Sequence, residues 1–182
     1  MLKWSQGNKT KKMKTTNLAC RAIPMVKSRL LLFGILLALV IVLPGFIHNQ
    51  WITGPIVNAA LILAAVCVGP MEAVVLGLMP STMALSSGLL PLPLAPMVPF
   101  IIIGNAILIL SFQYLAVSNY ALRILVAAFL KSAFLIFSVT FLMDKLFEKE
   151  FLGNLLLMMS WPQFVTALIG GLVVYPLFKA QK

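Results

Sequence analysis

Charged side chains are scarce in this chain, and acidic ones are the scarcest. Only 10% of the 182 residues are charged and four are Asp or Glu, whereas 62% are hydrophobic. Soluble domains carry about 25% charged residues, so this composition excludes an ordinary soluble domain. The mean hydropathy of +1.06 also argues against a soluble domain. Because the alternation typical of membrane β-barrels is also missing, we expect an all-α integral membrane protein.

Residues that carry catalytic chemistry are equally few. One histidine and two cysteines leave too few clustered ligands for a zinc or iron site. Three of the four acids share one loop, Asp144–Glu150, so no carboxylate pair lies within the membrane. The Gly-x-x-x-x-Gly-Lys-Ser/Thr loop that binds ATP is absent. We therefore expect no enzyme, no metal and no bound cofactor.

The net charge of +10 is concentrated at one end of the chain. Residues 1–29 hold eight basic and no acidic side chains, a charge of +8, which leaves +2 for residues 30–182. A basic segment before the first apolar run predicts a cytoplasmic N-terminus. We interpret 1–29 as a topology signal, which could also touch anionic lipid. Residues 1–24 could be dispensable, and the hydropathy argues against a nucleic-acid partner.

Residues 30–182 divide into apolar runs of membrane-spanning length. A hydrocarbon core about 30 Å thick needs about 20 residues per helix. The sequence predicts six spans, with the second and third being short enough to form one re-entrant hairpin instead. They are Leu30–Ile47, a span between Pro55 and Val68, Met71–Ser87, a span from Pro99 to Leu115, Tyr120–Met143 and Leu155–Phe178. Six spans place both termini in the cytoplasm of a multi-pass cell-membrane protein.

Lys131 is the most unusual residue within the predicted spans. A lysine at the centre of a membrane helix costs about 2.5–3.5 kcal/mol on insertion scales, so it is a candidate functional group. Ser138 lies seven residues on and shares its helix face, so the two could line one polar cavity. In one interpretation Lys131 is the counter-charge for a substrate carboxylate or phosphate. In the other its ammonium extends to the cytoplasmic headgroups.

Further polar residues occur in three other spans. Asn58 and Asn105 could hydrogen-bond between helices or face a ligand. Gln163 and Thr166 lie on one face of the sixth span by helical spacing, which faces either a ligand or another helix. Trp161 precedes them, at a position typical of the membrane interface.

Prolines 91, 93, 96 and 99 argue against a regular helix through 91–96. Irregular backbone at membrane depth is tolerated where it is covered by protein or lines a cavity. Together with the predicted loop that contains His48, Asn49 and Trp51, this segment predicts an outward-facing pocket with polar walls and aromatic lids. Such a pocket suits a small organic solute.

Two stretches, Thr53–Ala65 and Leu94–Asn105, resemble the substrate-binding S components of energy-coupling-factor transporters. The basic N-terminus and the six predicted spans are also similar to those of the S components, and the likeness extends over residues 30–178. The resemblance implies a six-helix subunit that binds a vitamin, a related metabolite or a metal-type micronutrient. Its implied partners are a transmembrane coupling protein and two cytosolic ATPases.

The resemblance also implies where the contacts lie. The ligand would occupy the outer half of the bundle, among the outer loops and helices four to six. The coupling protein would dock on small residues four apart in the first helix, here Gly34 and Ala38, with glycine replacing one alanine. The few acids and single histidine favour an organic ligand. A membrane scaffold without a solute site and a stand-alone secondary carrier remain the alternatives.

Overall fold

The computed structural model describes residues 26–117, 119–146 and 159–179, and the described segments are helices and short connections. The α-helices are α1 (Val26–Phe46), α2 (Gln50–Cys67), α3 (Pro70–Leu76), α4 (Met79–Ser86), α5 (Val98–Tyr114), α6 (Tyr120–Leu146) and α7 (Trp161–Lys179), and a 3₁₀ helix spans Leu92–Met97. The prediction of an all-α membrane protein is confirmed for these residues. Most of the basic segment 1–29 and most of the loop Asp144–Glu150 lie outside them.

Among the described residues, four stretches are long and apolar enough to cross a membrane, namely Ser28–Phe46, Gln50–Cys67, Leu94–Tyr114 and Tyr120–Phe141. A fifth apolar helix, Trp161–Leu177, is shorter. The start of the predicted sixth span, residues 155–158, lies outside the described residues. The second span is a membrane-length helix by itself, so the hairpin alternative is wrong for that span.

The predicted third span is not one helix. It consists of α3 and α4, which are interrupted at Gly77 and Leu78. Pro80 explains the interruption, because its ring has no N–H to bond to Leu76 O and disfavours helical backbone just before it. Neither half reaches the length of about 20 residues that a membrane crossing needs. The expectation of a continuous helix over Met71–Ser87 is therefore wrong.

The loop predicted before the second span is also shorter than expected. Helix α2 begins at Gln50, because the side chain of Asn49 caps it by accepting a hydrogen bond from the Trp51 N–H at 2.9 Å. Pro55 is accommodated within the helix, near its N-terminal end. The prolines after residue 90 act as expected, since Leu92–Met97 is 3₁₀ rather than α-helical.

Helix α2 lies at the centre of the bundle and α1 at its edge. The share of residues buried inside the protein is 61% for α2 but 17% for the Ser28–Phe46 stretch of α1. Helices α2 and α7 approach each other closely at Gly170, where a Cβ would meet Pro55 O and the Ala59 nitrogen at 2.7 and 2.8 Å. Close backbone approach at small residues is how membrane helices associate.

Candidate ligand cavity

A cavity of about 110 Å³ lies at the end of the bundle where α1 ends and α2 and α7 begin. Its walls combine apolar side chains with a few polar ones, as in most small-molecule sites. It is lined by Pro44, Gln50, Thr53, Gly54, Val57, Asn58, Pro80, Ser81, Ala84, Leu89, Leu90, Ile101, Asn105, Lys131, Met159 and Gln163. Sites for drug-sized ligands measure about 300–1,000 Å³, so the described walls enclose room for a small ligand.

Lys131 contributes the cavity's cation from the middle of α6. Its side chain is 2% exposed, and Nζ donates hydrogen bonds to Asn58 Oδ1 at 2.7 Å and Asn105 Oδ1 at 2.9 Å. The ammonium is therefore held inside the bundle between α2 and α5. The alternative in which Lys131 extends to the lipid headgroups is wrong.

The two asparagines extend the hydrogen-bond network of Lys131 to other helices. Because their oxygens accept from Lys131, their amide nitrogens face away and donate elsewhere. Asn105 Nδ2 donates to Gly77 O at 3.0 Å, and Asn58 Nδ2 makes a long contact of 3.5 Å with Thr166 Oγ1. The interruption between α3 and α4 frees the Gly77 carbonyl for this bond. One lysine thus connects elements that are distant in sequence.

Two polar side chains on the cavity wall have unused hydrogen-bonding capacity among the described residues. Ser81 Oγ of α4 is buried and has no hydrogen-bond partner. Gln163 of α7 is half-buried, and its side-chain amide makes no hydrogen bond within the described part of the chain. A buried hydroxyl without a partner costs about 1–3 kcal/mol, which makes Ser81 a candidate for binding a polar ligand atom.

The charge on Lys131 lacks a protein counter-ion in the described structure. Glu72 is the one acidic residue whose side chain the structure describes, and it folds against Gly69 in the first turn of α3. The acceptors of Lys131 are neutral amides, which solvate an ammonium without neutralising it. A buried charge normally has an ionic partner, so the cavity is electrostatically suited to an anion.

The residues selected from the sequence are only partly brought together. Lys131, Asn105 and Gln163 line the cavity, as does Asn58. Thr166 stands behind Asn58 and donates to Gln163 O at 3.2 Å. It therefore supports the wall without lining it.

Five other candidates do not line the cavity. Ser138 is buried, but its hydroxyl donates to Phe134 O of its own helix at 2.7 Å. Asn49 is the cap of α2 described above. Trp51 and Trp161 pack against each other at the protein surface, with ring centroids 5.2 Å apart, and His48 Nε2 bonds to Ser87 O at 2.8 Å. The contacts of Trp51, Trp161 and His48 lie at the rim of the cavity.

Three further residues, Ser81, Thr53 and Gln50, also line the cavity, and little in the sequence marks them as site residues. Ser81 follows a proline in a segment that was expected to be a regular span, so nothing marked it as unpaired. Thr53 and Gln50 lie in the stretch that was expected to be a loop. The onset of α2 at Gln50 places both on the cavity wall.

The predicted docking residues lie on an open face of α1. Gly34 and Ala38 are exposed, and a Cβ on Gly34 would meet no atom within 4 Å. The neighbouring side chains of Leu31, Ile35 and Val42 are 67, 55 and 52% exposed. In the described chain this apolar face is therefore largely exposed.

Residues 28–180 match the family of the substrate-specific component of ECF transporters. The match covers the described helices except the first two residues of α1, and it covers all the residues that line the cavity. No curated protein and no solved structure matches the chain.

Proposed function

Because the chain belongs to the substrate-specific components of ECF transporters, we propose that it binds a vitamin or related small micronutrient for an ATP-driven importer. The observation that carries the proposal is the cavity around Lys131. It combines apolar walls with a small set of converging polar groups, which is the composition of a site for a small organic solute.

The buried polar groups of this cavity cost folding free energy unless a partner completes their hydrogen bonds. Lys131 and Ser81 are both at least 95% buried, and each retains capacity for a further partner in the described structure. A packed apolar junction of α2, α4, α5 and α6 would avoid that cost. A binding site accounts for both residues, because a ligand would supply the missing partners.

ATP-driven uptake requires subunits that this chain does not supply. The sequence contains no phosphate-binding loop, so hydrolysis would take place on partner ATPases. We assign the open face of α1, with Gly34 and Ala38 at its centre, to the transmembrane coupling protein. Small residues at this spacing let a partner helix approach the α1 backbone closely.

The proposed orientation follows from the charge distribution. With the +8 segment in the cytoplasm, α1 runs outward, and the cavity beside its C-terminal end opens in the outer half of the cell membrane. A substrate arriving from outside would meet the rim formed by Trp51 and Trp161. We take α3 and α4 together as the third crossing, which places both termini in the cytoplasm.

The proposal is tested by reconstitution. The tagged chain, expressed with candidate coupling and ATPase subunits, should form a complex, and liposomes containing the complex should accumulate a solute only when they are supplied with ATP. Transport by the chain alone would show a secondary carrier. A complex that binds no small molecule under any condition would show a scaffold.

A further inference from the structure

We propose that the solute carries a single carboxylate, which the cavity binds with the Lys131 ammonium and the Ser81 hydroxyl. This inference rests on the proposed function and specifies the chemistry of its site. It starts from the hydrogen bonds that Lys131 and Ser81 leave unmade.

The ammonium of Lys131 has three N–H groups, and the asparagine oxygens of α2 and α5 use two of them. The third has no acceptor in the described part of the chain. Since Lys131 lines the cavity, an acceptor placed there can complete the set. An anionic oxygen is the best acceptor, because charge-assisted hydrogen bonds are about twice as strong as neutral ones.

Ser81 supplies an independent second donor from another helix. Its Oγ is buried and has no hydrogen-bond partner in the described structure, and Ser81 is among the residues that line the same cavity. Because both residues line one cavity, the lysine and the serine can each donate to one oxygen of the same carboxylate. The acceptors of Lys131 are already oriented by their bonds to Thr166 and Gly77, so they need no rearrangement when the anion binds.

The charge balance favours a carboxylate over a phosphate. Among the described residues that line the cavity, Lys131 is the only basic one. A carboxylate would neutralise this one positive charge, whereas a phosphate dianion would leave an uncompensated negative charge in an apolar site. The small volume of the described cavity also suits a compact acid better than a phosphate ester.

The first experiment measures the melting temperature of the purified full chain in detergent with matched pairs of small acids and amides. The probes are butanoate and butanamide, benzoate and benzamide, and inorganic phosphate. We expect at least one acid to raise the melting temperature while its amide and phosphate do not. Equal stabilisation by acid and amide, stabilisation by phosphate alone, or no response to any probe overturns the proposal.

The second experiment uses the acid that stabilises the protein most. Ser81→Ala should weaken its binding by about 3- to 10-fold, and Lys131→Met by about 10- to 100-fold, as expected for neutral and charged hydrogen bonds. Ser132→Ala is the matched control, because Ser132 is a buried serine that bonds to Phe129 O and does not line the cavity. Unchanged binding in Ser81→Ala and Lys131→Met contradicts the assignment. If Lys131→Met does not fold, Ser81→Ala decides alone.

Failure of this inference is distinguishable from failure of the proposed function. The same preparations are tested for complex formation with the coupling and ATPase subunits. An intact complex without a preference for acids rejects the carboxylate and keeps the transport function. Loss of both complex formation and small-molecule binding rejects the proposed function.

Discussion

At the residue scale, the central feature is a lysine whose charge is solvated by amides. Lys131 depends on Asn58 and Asn105 for two of its three hydrogen bonds. Each asparagine depends on Lys131 for the orientation of its amide. The three residues therefore act as one unit, and substitutions within the unit should not be additive.

A double-mutant cycle tests this dependence. Asn58→Leu alone should destabilise the protein by about 1–3 kcal/mol, because it leaves a buried ammonium short of an acceptor. In a Lys131→Met background the same change should cost markedly less, since no cation remains to be satisfied. Unfolding in mixed detergent measures both values. Equal costs in the two backgrounds would show that the pair is not coupled.

Two polar residues that the sequence offers equally as ligand contacts have different surroundings in the structure. Gln163 lines the cavity, whereas the Ser138 hydroxyl bonds to its own helix. Gln163→Ala should therefore weaken retention of the bound solute by about 5- to 10-fold, the loss of one hydrogen bond. Ser138→Ala should leave retention unchanged. Quantitative mass spectrometry of the extracted small molecules measures both. The reverse order would place the ligand nearer to Ser138.

At the element scale, the fold depends on the close packing of α2 against α7. A Cβ on Gly170 would stand 2.7 Å from Pro55 O, and backbone atoms cannot move aside as a flexible side chain can. Gly170→Ala should therefore destabilise the protein by about 1–3 kcal/mol through overpacking. Gly45→Ala is the control, because a Cβ there meets nothing within 4 Å. Similar melting temperatures for the two variants would contradict the close packing of α2 on α7.

The open face of α1 leads to a second prediction at this scale. Gly34→Leu adds bulk where a Cβ would meet no described atom within 4 Å, so folding and solute binding should persist while complex formation is lost. Ala121→Leu adds similar bulk at an exposed position of α6 and should leave the complex intact. Affinity capture with the coupling subunit measures the difference. An intact complex in Gly34→Leu would assign docking to another face.

The elements also show what could be predicted from the sequence. Long apolar runs gave α1, α5 and α6 to within a few residues, because hydrophobic length is a strong local signal. The start of α2 and the interruption between α3 and α4 were missed. Both depend on single residues, the Asn49 cap and Pro80, whose effects on the backbone are decided by their surroundings.

The residues of the cavity were also predictable only where the signal was local in the sequence. A lysine in an apolar run was recognisable as exceptional, and Asn105 and Gln163 were recognisable as polar residues in spans. That Asn58 and Asn105 hold one ammonium depends on three helices meeting, and the sequence spacing does not encode this. Ser81 was missed because its environment is created by the irregular segment around it.

At the scale of the whole molecule, the cavity and the open apolar face lie on different parts of the bundle. One end of the bundle encloses the cavity, and the edge helix α1 presents an open apolar face. This division fits a subunit that binds a solute in its interior and associates with partners along its side. Charge is scarce in this chain, and among the described residues Lys131 is the single buried cation and lies in the cavity.

The central claim is that this chain binds a small solute as one subunit of a larger importer. Native mass spectrometry of the gently purified protein tests it most directly, because one spectrum reports both partners and retained small molecules. We predict a complex with a coupling protein and two ATPases, with one small molecule per chain that is lost in Lys131→Met. A bare chain, free of partners and solute in several mild detergents, would contradict the account.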